Sequence, residues 1–431
     1  MKNIVKKIII FILTVESKLV LKKYKPKIIA VTGSVGKTST KDAIYTALLP
    51  FFHVRKNAKS FNSDIGIPLT ILGLGNAWNS PEKWLLNVWR GFLLVLLKND
   101  YPRWLILEIG ADHPGEIEAV MKWIHPDISV VTRIGAVPVH IEHYRSAKDV
   151  VREKSFLARG VKSDGFLILN ADDEDVMYFK EHTKARVVTF SVASKADIQA
   201  SYINPTYDEN KKLEGVSFKV DTNGSSIPIT VKNVIGMSHV FPVLAAFAVI
   251  YALELNPLEA SQAFTTYDYP RGRMNIISGI NNSTIIDDSY NASPVAMDEA
   301  FRTIENLKVS GRKIGVLGDM LELGRHSLEE HTRLGESAAK IFDCLVTVGI
   351  RAKDMKEAAK KAGIDKKSLF SFGTSVEAGD FLKNFVKEND LVFVKGSQGI
   401  RMERIVEQIM AYPELKAKLL VRQEPEWLLR S

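Results

Sequence analysis

Apolar and cationic positions alternate in blocks at the start of the chain, where KNIVKKIIIFILTVESKLVLKKYKPK holds an unbroken apolar run from Ile8 to Leu13 between lysines. This pattern predicts an amphipathic helix over residues 3–24, ended by Pro26 and filling a leading segment of residues 1–26. KIIAV (27–31) follows as a short, branched, apolar run of the kind found in buried parallel strands. TGSVGKTSTKDAIYTALL then passes from a glycine-rich loop into a helix. Similar strand patterns recur at 104–110, 128–135, 165–170 and 186–192, with helical stretches at 115–124 and 146–160 between them. That alternation predicts a mostly parallel sheet with crossover helices. Residues 197–235 switch to period-two alternation broken by the turn signals NP, DEN and NG, which predicts an antiparallel excursion. A helix is expected at 238–255.

After YPRGRMN (269–275) the strand–helix rhythm starts again. Strands are expected at 283–289, 313–319, 344–349 and 390–396, and helices near 294–307, 327–341, 351–362 and 376–387. The chain therefore reads as α/β throughout. A central domain over 27–275 carries the phosphate loop, and a second, Rossmann-like α/β domain covers 276–431. No internal repeat or low-complexity segment interrupts this order.

Composition narrows the chemistry. Charged residues at 25% and hydrophobic ones at 46% are globular proportions, and Cys344 is the single cysteine. A disulfide framework and cysteine-rich metal sites are thereby excluded, and Cys344 in IFDCLVTVG reads as a small core residue. The net charge of +8 suits an anionic substrate, a nucleic acid or a membrane surface without choosing among them. No basic stripe interleaves with aromatics, so nucleic acid is not expected as a partner. No stretch reaches the length of roughly 18 apolar residues that a membrane span needs. The small residues of a signal-peptide cleavage site do not follow the first apolar run, so a cytoplasmic location is expected. Residues 3–24 are expected to pack on the next domain or to touch a membrane surface.

Thr32-Gly33-Ser34-Val35-Gly36-Lys37-Thr38-Ser39 lies between a predicted strand and a predicted helix. Such a loop aims backbone N–H groups and a helix N-terminus at a phosphate, with Lys37 and Thr38 placed for the terminal phosphates and Mg²⁺. Val31 stands where the usual pattern has its first glycine, so the loop is a variant. A GTPase would need better than Asp112-His113-Pro114-Gly115 and the SKAD at 194–197. A zinc deaminase built on His140-Ile141-Glu142 fails with one cysteine.

TGSVGKTSTKD resembles the ATP loop of the Mur ligases, amide-forming enzymes of peptidoglycan precursor synthesis. Matches continue in order: FNSDIGIPLT (61–70), LEIGADHPGEI (107–117), HIEHYRSAKDVVREKS (140–155), LNADD (169–173), PRGRMN (270–275), IDDSYNASP (286–294), VLGDMLELG (316–324) and VKGSQGIRMERIV (394–406). The last four are most similar to the branch that joins D-alanyl-D-alanine to a UDP-N-acetylmuramoyl tripeptide. The resemblance implies ATP, two Mg²⁺ ions, and peptide and D-alanyl-D-alanine-type substrates acting through an acyl phosphate. It implies Lys37 on the β/γ-phosphates, Thr38 on one Mg²⁺, Glu108 and His140 as metal ligands, and Lys154 as a carbamylated lysine beside the metals. Gly33, Ser34, Val35, Gly36 and Ser39 complete the phosphate loop, and Asn62 approaches the phosphates, with Ser63 replacing a second asparagine of the motif. His239 opens the signature that meets the base, although Val240 and Pro242 stand where asparagines are expected. Arg273 reaches the phosphates across the cleft, Asp288 takes the ribose, and Asn291, Lys395, Ser397 and Arg401 hold the incoming peptides. The resembled enzymes start with a domain that binds the UDP-sugar. Here the phosphate loop begins at residue 32, so that domain is expected to be missing and recognition to rest on the peptide. A monomer is expected. The alternatives are another amide ligase of the family, such as a folylpolyglutamate synthase-like enzyme, and a non-catalytic nucleotide-binding partner.

Overall fold

The computed structural model describes residues 2–57, 64–78, 80–135, 141–222 and 224–428, leaving aside the side chains of residues 2–5 and 426. Two sheets organise it. The first contains β1 (Lys27–Thr32), β2 (Val54–Lys56), β3 (Trp104–Glu108), β4 (Ile128–Val131), β5 (Phe166–Asn170), β6 (Arg186–Ser191), β7 (Ile198–Tyr207), β8 (Leu213–Thr222) and β9 (Ser225–Lys232). Their spatial order is β2-β3-β1-β4-β5-β6-β7-β8-β9, parallel as far as β7 and antiparallel from β7 to β9. β3 and β4 are buried along their whole length because helices cover both faces, which is why they read as unbroken apolar runs rather than as alternations.

The second sheet holds β10 (Asn275–Ser278), β11 (Thr284–Asp288), β12 (Lys313–Gly318), β13 (Cys344–Val348), β14 (Leu369–Phe372) and β15 (Leu391–Lys395) in the order β10-β11-β15-β12-β13-β14. β10 runs antiparallel to β11, and the remaining pairings are parallel. Mixed α/β architecture with mostly parallel sheets is thus what the pattern foretold. Cys344 is buried in β13, as a small core residue would be.

The apolar runs predict strands that are slightly too long. The run 128–135 becomes a strand only to Val131, and 104–110 only to Glu108. The physical reason is shared: at the carboxyl edge of a parallel sheet the chain stays buried while it leaves the ladder, and these overhangs form the crevice where ligands bind in such folds.

Helices α1 (Lys2–Tyr24), α2 (Lys37–Leu48), α3 (Gly66–Leu72), α4 (Pro81–Leu96), α5 (Glu116–Met121) and α6 (Ala147–Gly160) flank the first sheet. The leading helix packs on α3 and α4. Leu13, Ser17 and Val20 are buried there, and Ser17 Oγ donates to the Pro68 carbonyl at 3.3 Å. Lys23 Nζ donates to the carbonyls of Leu94, Val95 and Leu97, so a lysine of α1 caps the C-terminus of α4. Helix α4 escaped the pattern reading because its apolar residues surround it: Trp84 and Val88 face the core while Leu85, Trp89 and Phe92 are exposed. β2 and β14, of three and four residues, were too short to register.

Candidate active site

Gly33 and Gly36 shape the loop that leaves β1. Gly33 has φ 146°, and a Cβ there would lie 2.0 Å from Thr132 Oγ1 at the end of β4, so only glycine lets the two chain segments touch. Gly36 has φ 83° and precedes α2 with no side chain capping that helix. The loop is pinned to the neighbouring strand exit. Ser34 N–H and Val35 N–H donate to the Arg133 carbonyl at 2.6 and 3.2 Å, and Thr132 Oγ1 donates to the Val35 carbonyl at 2.6 Å. The start of α2 is therefore held rigidly with its amides free of side-chain caps, the arrangement that accepts phosphate. Tyr267 Oη, donating to the Ser39 carbonyl at 3.2 Å, braces the first turn from the other side.

Two lysines meet on one carbonyl oxygen. Lys37 Nζ donates to Gly33 O at 2.9 Å, and Lys154 Nζ, brought in by α6, donates to the same oxygen at 3.0 Å. Burial pushes the Lys154 amine down to about 7, and the neighbouring Lys37 charge adds to that, with Glu153 and Asp112 opposing. Lys37 is also lowered, by burial first and by Arg273, against Glu108 and Asp112. Glu153, one residue before Lys154, faces the other way and accepts from Gly115 N and Ile117 N at 2.8 and 2.7 Å. These bonds fix the rotation of α6 and so the direction in which Lys154 points.

Glu108, at the end of β3, is almost fully buried. Its Oε1 accepts from Thr38 Oγ1 at 3.1 Å, while Oε2 has no hydrogen-bond partner and lies 3.6 Å from Lys41 Nζ. A buried carboxylate oxygen without a hydrogen bond, beside a hydroxyl at a helix start, is an oxygen donor set suited to Mg²⁺. Lys41, itself 1% exposed, also donates to the Asn57 carbonyl, and Asn57 Oδ1 accepts from Glu108 N at 2.7 Å. Neither Lys41 nor Asn57 has a signature of this role in the sequence, although Lys41 sits inside TGSVGKTSTKD, because no pattern marks an internal helix lysine as the partner of a distant strand carboxylate. Asn62 and His140 lie outside the described residues. The His113 and His143 rings stack with centroids 4.5 Å apart.

A cleft runs from this loop to the second sheet. Val35, Gly36, Ser39 and Thr40 form one wall, Met237, Ser238, Phe241 and Pro242 of helix Met237–Ala252 another, and Arg273, Asp288, Glu299 and Lys395 close it from the far side. Arg273 stacks over Tyr290 at 4.3 Å. Lys395 Nζ pairs with Asp288 Oδ2 at 2.5 Å and donates to the Asn291 carbonyl, and burial lowers its basicity against the pull of Asp288. Across the cleft Arg133 of the first half pairs with Glu299 of helix Pro294–Glu305 at 2.5 Å. This contact had no signature in the sequence, because its partners are 166 residues apart.

Three expected ligand-binding residues sit elsewhere. His239 is fully buried and does not line the cleft. Its Nε2 meets the Arg273 carbonyl at 2.6 Å, and burial pushes the ring down to about 4. It therefore holds the segment that carries Arg273. Ser397 is buried, its hydroxyl accepting from Leu321 N at 2.9 Å. The Arg401 guanidinium is committed to Glu403 at 2.6 Å and to the Trp427 carbonyl, and Glu403 also pairs with Arg422, which donates to the carbonyls of Ser289 and Tyr290. That network frames the loop after Asp288. Asn291, whose Oδ1 accepts from Gln398 N, remains beside Lys395 at the edge of the cleft.

Comparison with known proteins gives the chain a family. Residues 31–250 match the Mur ligase middle domain and residues 272–398 the Mur ligase glutamate ligase domain. The chain is 29% identical over 403 residues to the UDP-N-acetylmuramoyl-tripeptide–D-alanyl-D-alanine ligase of Bacillus subtilis, covering 92% of this chain and 79% of that one. It is 27% identical over 385 residues to the Escherichia coli ligase of the same name, covering 88% and 76%. Among solved structures, a MurF from Acinetobacter baumannii superposes with a TM-score of 0.73 at 24% identity, over 92% of this chain and 79% of that one. A folylpolyglutamate synthase from Mycobacterium tuberculosis reaches 0.65 at 12% identity, over 92% and 94%, and shares the fold. With both domains matched in order on the two sides of the cleft, the chain belongs to the Mur ligase family of ATP-dependent, ADP-forming amide ligases.

Proposed function

We propose that the chain joins D-alanyl-D-alanine to a UDP-N-acetylmuramoyl tripeptide, with ATP held in the cleft between residues 27–275 and 276–431. The observation that carries this reading is the meeting of Lys37 and Lys154 on the Gly33 carbonyl, next to the bonded pair Thr38–Glu108, on a loop whose Val35 and Gly36 share a cleft with Arg273, Asp288 and Lys395. A carboxylate is a poor acyl donor. Its oxygen attacks the γ-phosphoryl group, ADP leaves, the amine attacks the resulting acyl phosphate, and phosphate departs as the amide forms. Both steps accumulate negative charge on phosphoryl and carbonyl oxygens, which fixed cations and amides neutralise without reorganising. The α2 amides and Lys37 face the β/γ-phosphates, Arg273 approaches from the far wall, and Asp288 takes the ribose while Lys395 holds its carboxylate in place. Asn291 and Lys395 border the peptide side, and Ser397 and Arg401 support it by framing the loops around them.

Thr38 and Glu108 would hold one Mg²⁺, with His140 a further ligand by resemblance. The ion supplies charge neutralisation on the transferring phosphoryl group. Lys154 supports the metals as a carbamate. An amine near pH 7 in its titration is substantially neutral in ordinary buffers and can attack CO₂, forming an N–C bond and releasing a proton. The product is an anion beside Lys37, so the neighbour that disfavours a charged amine at Lys154 attracts its carbamate.

The test is ATP-dependent coupling of the UDP-linked tripeptide to D-alanyl-D-alanine, followed by mass spectrometry. Wild-type protein should form one ADP per amide, and Lys37→Ala should lose about 10²-fold or more of the rate. ADP formation independent of both substrates, or an amide product only with a folate acceptor, would overturn the reading.

A further inference from the structure

We infer that the outer face of the α1–α4 helix pair docks on an anionic lipid bilayer, lying in the plane of its surface. The two helices run parallel: Glu16 meets Gly91 midway, and Lys23 reaches the carbonyls at the end of α4. Their inward side chains, Leu13 and Val20 on one and Trp84 and Val88 on the other, belong to one core cluster. The opposite stripes of both helices therefore share the outer surface of the molecule.

Those stripes are apolar where a solvated face would be polar. Phe11, Val15 and Leu19 recur at helical spacing on α1, with Phe11 68% exposed. Leu85, Trp89 and Leu96 do so on α4, with Leu85 74% and Trp89 56% exposed. Single exposed apolar residues are ordinary, but two aligned stripes form a patch, and patches of that kind mark interaction sites.

Charge selects the occupant. Residues 1–27 contain eight lysines and one acid, and residues 81–100 contain three cations and two acids. Glu16, the one acid of the first segment, is turned inward against Gly91. Lys7, Lys18, Lys22, Lys83 and Arg90 are exposed around the apolar stripes. A second copy of this surface would set two cationic rims against each other. A bilayer containing acidic phospholipid offers an anionic plane with hydrocarbon just beneath it, and an exposed tryptophan suits the boundary between them. Among the described residues no helix is long and apolar enough to cross a membrane, so the pair would rest on the surface rather than span it.

Co-sedimentation of the full chain with phosphatidylcholine vesicles, with and without about 30 mol% phosphatidylglycerol, tests this. Binding should appear with the anionic lipid and fall at high salt. Lys18→Glu/Lys22→Glu should weaken it at least about tenfold, and Phe11→Glu/Trp89→Glu should abolish it. Should the second variant fail to fold, Trp89→Phe gives an independent reading: brominated lipid should quench wild-type fluorescence strongly and this variant much less. No binding to anionic vesicles would overturn the inference. So would binding that neither charge reversal nor Trp89→Phe alters, or a self-association in solution that the Phe11→Glu/Trp89→Glu variant disrupts.

Discussion

Lys37 and Lys154 sharing the Gly33 carbonyl is an arrangement that burial and repulsion should disfavour, and its consequences are measurable. Replacing Lys154 by alanine should cost roughly 10- to 100-fold in ligation rate, as loss of a group supporting a metal site does. Short carboxylic acids should restore part of it by occupying the vacated position; full activity in the variant would make Lys154 a bystander. The pH dependence has a defined sign. Below pH 7 the amine is protonated and cannot take up CO₂, so activity should rise through about 7, and this limb should vanish in Lys154→Ala. Stability follows the same direction. In the unfolded chain the amine titrates at its ordinary 10.5, against about 7 when folded, so between these values the unfolded state binds more protons and stability rises with pH. Urea titrations of CO₂-free protein at several pH values should show that slope in wild type and a shallower one in Lys154→Met. At Gly33 the argument is steric: Gly33→Ala adds a Cβ 2.0 Å from Thr132 Oγ1 at φ 146°, and should destabilise by about 2 kcal/mol or more while abolishing nucleotide binding. An unchanged melting temperature would contradict it.

Among elements, the parallel strands were the legible part, because burial on both faces writes an apolar run that needs no partner to be recognised. Glu108 and Asp288 could be placed at strand ends for the same reason. Contacts between elements were not legible. Nothing in the sequence pairs Arg133 with Glu299, or shows that Arg401 turns to Glu403, since a charged residue in a motif reads alike whether it faces a ligand or a buried partner. His239 is the instructive case. The motif pointed to the nucleotide, and the fold uses the ring to hold the Arg273 carbonyl. The bond requires Nε2 to carry the proton. His239→Ala should therefore raise the KM for ATP through displacement of Arg273 and lower stability by about 1–3 kcal/mol. Equal KM values for variant and wild type would remove the histidine from that role.

For the whole molecule, the cleft is built from both halves of the chain, with Val35, Gly36 and Thr40 on one wall and Arg273, Asp288 and Lys395 on the other. Closure around ATP would exclude water from the acyl phosphate and limit its hydrolysis. Small-angle scattering should show compaction when an ATP analogue and both substrates are added, and Arg133→Met, which breaks the bridge to Glu299, should reduce it; an unchanged radius at saturation would count against closure. Isotope transfer reads out activation of the carboxylate itself. Tripeptide substrate labelled with ¹⁸O in its reacting carboxylate should deliver one labelled oxygen to inorganic phosphate for each amide formed. Amide formation with unlabelled phosphate would show that the carboxylate is never phosphorylated, and the account given for this cleft would be wrong.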